Sequence, residues 1–245
     1  MTIAEKLNLI SNNMSTIYSN GYINGYDKAL YDYYDGFWDG FQQYGDRKNY
    51  DYCFSGRHWV NAIMTPKYDI APTSASRMFL NCNYSGDLRK FPEGDFPVGL
   101  DFKNCTVMDN LFGYCFSIKH IGVIDMSSAT SIAGAFVSCS ALETIDEVKF
   151  AESGNQSPGT SIFKGCTSLK NIKVTGVIGD SISFADCDAL TRTSIESIVN
   201  ALSDTVTGKS LTFSHDAVGY AFSWDFAGAW TDFIGKKPNW TISLD

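Results

Sequence analysis

Apolar residues fall at matching slots in two consecutive stretches, Leu100 to Ile121 and Ile124 to Ile145, which align without a gap at a period of 24 residues. Leu100, Asp101 and Phe102 match Ile124, Asp125 and Met126. Cys105 and Thr106 match Ala129 and Thr130, and Met108 matches Ile132. Leu111-Phe112 matches Ala135-Phe136, Cys115 matches Cys139, and Ile118 and Ile121 match Leu142 and Ile145. Apolar slots stay apolar in both copies. Their shared element, Phe-x-x-Cys-x-x-(Leu/Ile), recurs as Phe79 with Cys82, Phe112 with Cys115, Phe136 with Cys139, Phe163 with Cys166 and Phe184 with Cys187. These cysteines are spaced by 33, 24, 27 and 21 residues. The 27-residue step contains a polar segment, Glu152 to Gly159, that reads as an insertion. The 33-residue step contains Pro92 and Pro97 and reads as another.

The three middle copies run on into an apolar-x-x-apolar signature, and Leu169-x-x-Ile172-x-Val174 alternates as a short strand with one buried face does. A strand and turn of this length cannot bury an apolar face alone. Stacked units bury it jointly, in columns of Phe, Cys and Leu/Ile. The expected fold is therefore an α/β repeat: a right-handed leucine-rich-repeat-like solenoid of short strands and turns or short helices. An N-terminal helical segment and a C-terminal α/β cap would flank it. Four segments follow: residues 1–20 (helix), 21–75 (aromatic-rich N-terminal cap), 76–190 (the repeats) and 191–245 (C-terminal cap). In the Phe-x-x-Cys slot a cysteine serves as a small buried hydrophobe. The seven cysteines, an odd number without a Cys-x-x-Cys pair, then read as reduced and structural rather than as disulfides or a metal site.

The Phe-x-x-Cys-x-x-Leu-x-x-Ile unit at a period near 24 resembles the BspA-type leucine-rich repeat over roughly residues 76–190. That resemblance implies a bacterial surface protein or a phage or prophage tail-associated protein, acting in adhesion or host recognition. Its implied place is extracellular, on a cell surface or a virion, and its partner a protein or glycan on a host or cell surface.

Ile3, Leu7, Ile10, Met14 and Ile17 form a heptad seam with steps of 4, 3, 4 and 3. Leu7 and Met14 at a, with Ile at d, favour three- or four-stranded bundles over dimers. Two heptads are too few for an isolated helix. The seam is either an oligomerisation stalk, a homotrimer by this pattern, or an amphipathic helix folded onto its own domain. Tyr18, Tyr22, Tyr26, Tyr33, Phe37 and Phe41 follow, interrupted by Gly21, Gly25, Gly36 and Gly40. They read as the cover over one end of the repeats or, beside Asp32, Asp35 and Asp39, as a sugar-binding surface. Tyr52-Cys53-Phe54-Ser55-Gly56 resembles a degenerate first unit.

After Cys187 the pattern changes. Thr193 with Glu196 reads as a capping box, and Ile195, Ile198, Val199 and Leu202 line one helix face. Leu211–Phe213 and Trp240–Leu244 read as strands, and Ala217–Phe222 and Thr231–Ile234 as short helices. Trp224, Trp230 and Trp240 either seal the last unit or form a ligand site.

A net charge of −8 over 245 residues and a pI near 4.8 argue against nucleic acid and anionic membrane as partners. No apolar run is long enough to insert into a membrane, and Met1–Ile10 lacks a signal-peptide pattern. His58, His120 and His215 share no metal-binding spacing, and His120 reads as solvent-facing between Ile118 and Ile121. No nucleophile elbow, phosphate loop or dinucleotide fingerprint occurs. The expectation is a non-catalytic binding module without a cofactor. A structural virion component and a glycan-active enzyme are the alternatives, and ligand contacts are unassigned.

Overall fold

The computed structural model describes residues 49–51, 55, 71–82, 101–154, 156 and 158–245. The chain divides into two compact units, Met1–Gly45 and Asp46–Asp245, and all of these residues lie in the second. The heptad seam from Ile3 to Ile17, the aromatic stretch from Tyr18 to Phe41 with Asp32, Asp35 and Asp39, the segment Tyr52–Phe54, His58, Pro92 and Pro97 lie outside the described residues.

Strands β1 (His120–Asp125), β2 (Thr144–Lys149) and β3 (Asn171–Thr175) form one parallel sheet in the order β1-β2-β3. Ile121 pairs with Ile145 and Ile145 with Ile172, so the aligned apolar slots of successive repeats become neighbours across the sheet. β1 and β2 keep apolar-x-x-apolar spacing, whereas β3 has apolar-x-apolar. The mismatch appears as a register shift between Ile145 and Val148. Strand β4 (Ile182–Phe184) begins a second parallel sheet, completed by β5 (Lys209–Phe213) and β6 (Trp240–Leu244) in the order β4-β5-β6. Three short α-helices lie in the last quarter of the chain: α1 (Arg192–Asn200), α2 (His215–Ala221) and α3 (Thr231–Ile234). A π-helical turn, Phe226–Trp230, runs into α3.

The expected right-handed leucine-rich-repeat-like solenoid is thereby corrected. Among the described residues the strands form two small three-stranded parallel sheets with three short helices, in place of one continuous run of strand-turn units. The physical reason lies at the edge of β3. Helix α1 presents Ser194 and Ser197, one turn apart, to that edge. Ser194 Oγ accepts from Ile172 N at 3.0 Å and donates to Lys170 O at 2.9 Å. Ser197 Oγ accepts from Val174 N at 2.8 Å and donates to Val174 O at 3.3 Å. Two hydroxyls thus take the place of a fourth strand, and an edge strand with its backbone groups satisfied has no template left to extend. Helix α1 is capped by Thr191, whose hydroxyl accepts from Ser194 N. The expected Thr193–Glu196 capping box does not form, because the chain enters the helix two residues earlier and Glu196 instead accepts from Arg192 Nε at 2.9 Å.

Between strands, backbone hydrogen bonds join successive repeat units at every second residue. Met108, Asn110, Phe112 and Tyr114 donate to Ser131, Ala133, Ala135 and Val137 at 2.7–2.9 Å. A turn that aims alternate N–H groups at its neighbour must reverse hand. Asn81, Tyr114, Ser138 and Gly165, each just before the cysteine of its unit, all have φ between 56° and 76°. In three of the four a non-glycine residue takes this conformation, at a cost of about 1–2 kcal/mol each. The stacking it permits outweighs that cost.

The insertion after Phe150 is closed from inside. Buried Gln156 accepts from Ala151 N at 2.6 Å and donates through Nε2 to Ala129 O at 2.7 Å and to Met126 O. One side chain of the added loop therefore supplies partners to main-chain groups of the residue before the loop and of the preceding repeat unit. Gln156→Leu roughly preserves volume but takes the Gln156 partner from Ala151 N and Ala129 O in the interior, while Met126 O keeps the Ala129 N–H. It is expected to lower stability by about 2–4 kcal/mol, read as a fall in the urea unfolding midpoint with unchanged far-UV circular dichroism.

Candidate functional site

The ten repeat residues Phe79, Cys82, Phe112, Cys115, Phe136, Cys139, Phe163, Cys166, Phe184 and Cys187 are all buried. Their rings form one column: Phe79, Phe112, Phe136, Phe163, Phe184 and then Phe213 of β5 stack with centroids 4.7–5.9 Å apart. The thiols form a second column. Cys115 Sγ donates to Phe79 O at 3.0 Å, Cys139 Sγ to Phe112 O at 3.1 Å and Cys166 Sγ to Phe136 O at 3.1 Å. Each of those carbonyls also accepts the N–H of its own unit's cysteine, three residues on. Cysteine suits this slot because it is small, apolar and still carries one weak donor.

This placement holds four of the described thiols in the protonated form. Burial pushes the Cys105 thiol up to about 11 and the Cys166 thiol up to about 12, and it raises Cys139 and Cys187 well above the ordinary value. A thiol held protonated is a poor nucleophile and a poor metal ligand. Among the described residues no group of three or more His, Cys, Asp or Glu is placed to hold a metal ion.

The two described histidines lie on separate elements, β1 and α2. His120, expected at the surface, is buried. Its register opposite Thr144 brings Nε2 to 3.2 Å from Asp146 Oδ2 on the neighbouring strand, so the ring lies over β2 and not in solvent. His215 is on α2, where it belongs to a surface that sequence reading did not assemble.

That surface starts from one helix and its exit. Ser214 caps α2, with its hydroxyl accepting from Ala217 N. At the other end Trp224 N donates to Gly219 O at 2.7 Å, the bond that closes a Schellman-type terminus. Ser223 and Trp224 both take left-handed backbone, with φ 52° and 59°. The reversal folds the indole back onto Gly219, where an added Cβ would lie 2.4 Å from the ring. Gly219 therefore serves the indole, against the roughly 1 kcal/mol a helix-interior glycine costs relative to alanine. Asp225 fixes the chain beyond it by accepting from Gly228 N at 3.0 Å and Ala229 N at 2.9 Å.

The aromatic groups meet around this turn. Tyr220 packs edge-on against Trp224 at 5.4 Å, Phe226 lies 6.0 Å from Trp224, and the His215 ring stacks on Phe226 at 4.9 Å and tilts against Trp224 at 5.6 Å. Tyr220 is 74% exposed and Trp224 48%. Asp216 adds a carboxylate 3.6 Å from His215 Nδ1.

The three tryptophans do not form a common site. Trp230 and Trp240 are buried, the first against Phe213, Phe222 and Phe233. Trp240 donates Nε1 to Ser203 O at 2.8 Å. Only Trp224 reaches the surface, beside Tyr220, His215 and Phe226, which sequence reading left out. The available signal was Tyr220, Phe222, Trp224 and Phe226 at every second position after a glycine inside a helical segment.

The thiol column makes stability depend on pH. Unfolded thiols ionise near the ordinary value of 9.0, whereas buried Cys105 and Cys166 hold their protons to about 11 and 12. A raised folded-state value gives a contribution that is complete below pH 9 and is lost as pH climbs towards the folded value. The urea midpoint is expected to fall between about pH 9 and pH 11, and Cys166→Ala to make that fall shallower. An unchanged slope in the variant would remove the thiol from the account. In comparisons with protein-family models, curated proteins and solved structures, the chain matches none.

Proposed function

We propose that this chain is a non-catalytic binding module that recognises a protein or glycan on a host or cell surface. The observation that carries the reading is Trp224, held half-exposed by two consecutive left-handed residues and seated on a helix-interior glycine. Local strain at a solvent-facing aromatic persists only where the surrounding structure enforces it, and such positions cluster at ligand-binding sites. Behind it, the aromatic column and parallel ladders supply a rigid support. No cofactor is needed for this role.

The setting, a bacterial cell surface or a phage tail, follows from the resemblance of the Phe-x-x-Cys repeat to the BspA type. Oligomerisation through Ile3, Leu7, Ile10, Met14 and Ile17 would multiply weak contacts into avidity. Full-length protein should bind saturably to immobilised glycans or to purified bacterial surface proteins, and should release no product from either. Product release would make it an enzyme. Absence of saturable binding to both sets would leave a structural role in a virion or tail as the better reading.

A further inference from the structure

We propose that Trp224 offers a stacking face for a neutral sugar ring, with the edge-on Tyr220 ring as a side wall and Asp216 and His215 supplying hydrogen-bonding groups at the rim. This rests on the binding-module reading and deepens it by naming the ligand class and the residues that touch it.

Charge narrows the ligand first. Between Lys209 and Lys236 the sequence has no Lys or Arg, and it places Asp216, Asp225 and Asp232 there. A phosphate, sulfate or anionic lipid headgroup would meet carboxylates on this surface with no cation from this stretch to receive it, and Arg192 of α1, over the buried Phe222 ring, is already engaged by Glu196. Size narrows it further. A stable protein interface takes about 20–30 residues a side, whereas this patch is one seven-residue helix and the turn that follows it. A sugar ring is matched to it. The C–H bonds on one face of a pyranose carry weak positive charge and complement the negative face of an aromatic ring. The hydroxyls around the ring edge then need polar partners. Asp216 Oδ1 sits 3.6 Å from His215 Nδ1 with both side chains at least half exposed, so the pair has both solvent access and free hydrogen-bonding capacity.

The ring is also pre-positioned. Trp224 is fixed by its own N–H on Gly219 O and by the close seat that glycine provides, and Asp225 pins the next turn. The His215 ring stacks on Phe226, and the His215 backbone N–H donates to Asp245 Oδ1 at 2.9 Å. A ligand meeting groups already in place loses less entropy in ordering them.

The test applies full-length protein to an array of neutral, sialylated and sulfated glycans, beside Tyr220→Ala, Trp224→Ala and Gly219→Ala, with thermal unfolding recorded for each. Neutral glycans are expected to be retained by the parent chain and to bind at least tenfold more weakly to all three variants. Tyr220→Ala removes a mostly exposed ring and should melt with the parent, so its loss of binding cannot be ascribed to misfolding. Gly219→Ala keeps every polar group and only displaces the indole, so it reads position alone. Neutral-glycan binding that Tyr220→Ala and Trp224→Ala leave unchanged would overturn this site while leaving the binding module standing. Preference for sulfated or sialylated glycans would overturn the ligand class, as would binding to surface proteins with no glycan retained. Binding to neither set would overturn the module reading itself.

Discussion

The described repeats depend on how one carbonyl group is shared. In each of three successive pairs, the phenylalanine C=O of one unit accepts the N–H of its own cysteine and the S–H of the next unit's cysteine. A buried carbonyl with one lone pair unused is tolerable, but a second donor makes the interior position fully satisfied. The thiol therefore joins neighbours as well as filling space. The phenyl ring of the same residue stacks on the next ring, so each Phe fixes its neighbour twice, through its carbonyl and through its side chain. Stacked aromatic pairs contribute about 0.5–1.5 kcal/mol each beyond their area. The left-handed residue before Cys82, Cys115, Cys139 and Cys166 is the local concession that lets these units approach closely enough for both contacts.

How a stack stops matters as much as how it propagates. At β3 the closure is polar: two serines one helical turn apart offer hydroxyls to the exposed N–H and C=O groups. Further on, the closure is largely apolar, with Trp230, Phe222 and Phe233 packed beyond the last ring of the Phe column. The segment from 237 to 240 is hooked to the 202–206 loop. Lys237 Nζ donates to Leu202 O at 2.6 Å and to Asp204 Oδ1 at 2.7 Å, and Asn239 Nδ2 donates to Ser203 O at 3.0 Å. The buried ammonium is tolerated because a carbonyl and a carboxylate both face it.

What was legible in the sequence was whatever burial imposes on every unit. The Phe and Cys slots, the pairing of Ile121 with Ile145 and of Ile145 with Ile172, and the strands ending at Phe213 and Leu244 all follow from apolar spacing, which survives substitution of one hydrophobe by another. The arrangement of the strands was less legible. A repeated Phe-x-x-Cys pattern reads as one continuous solenoid, yet the sheet is interrupted at β3 by Ser194 and Ser197, two ordinary polar residues in a helical stretch. Their role depends on which helix face meets the strand edge, and periodicity does not report that. The same limit explains His120, whose burial comes from the partner strand, and Thr191, which caps α1 two residues ahead of the expected position. The tryptophans show it most plainly. Trp224, Trp230 and Trp240 share a composition-level meaning, and only the reversed backbone at Ser223 and Trp224 separates the exposed ring from the buried pair.

That separation links the scaffold to the proposed role. A half-exposed indole on a loose segment would collapse against the nearest apolar surface, because nothing would oppose the burial of its area. Here the collapse is already complete on one side: the six-membered ring of the indole rests on Gly219, and the backbone beyond Trp224 is committed to Asp225 and the π-helical turn. The remaining surface of the ring stays in water because the chain has no freedom left to cover it. Packing of Phe213 on Trp230, at the end of the turn that follows Trp224, is what would keep an energetically unfavourable aromatic surface available to the proposed ligand.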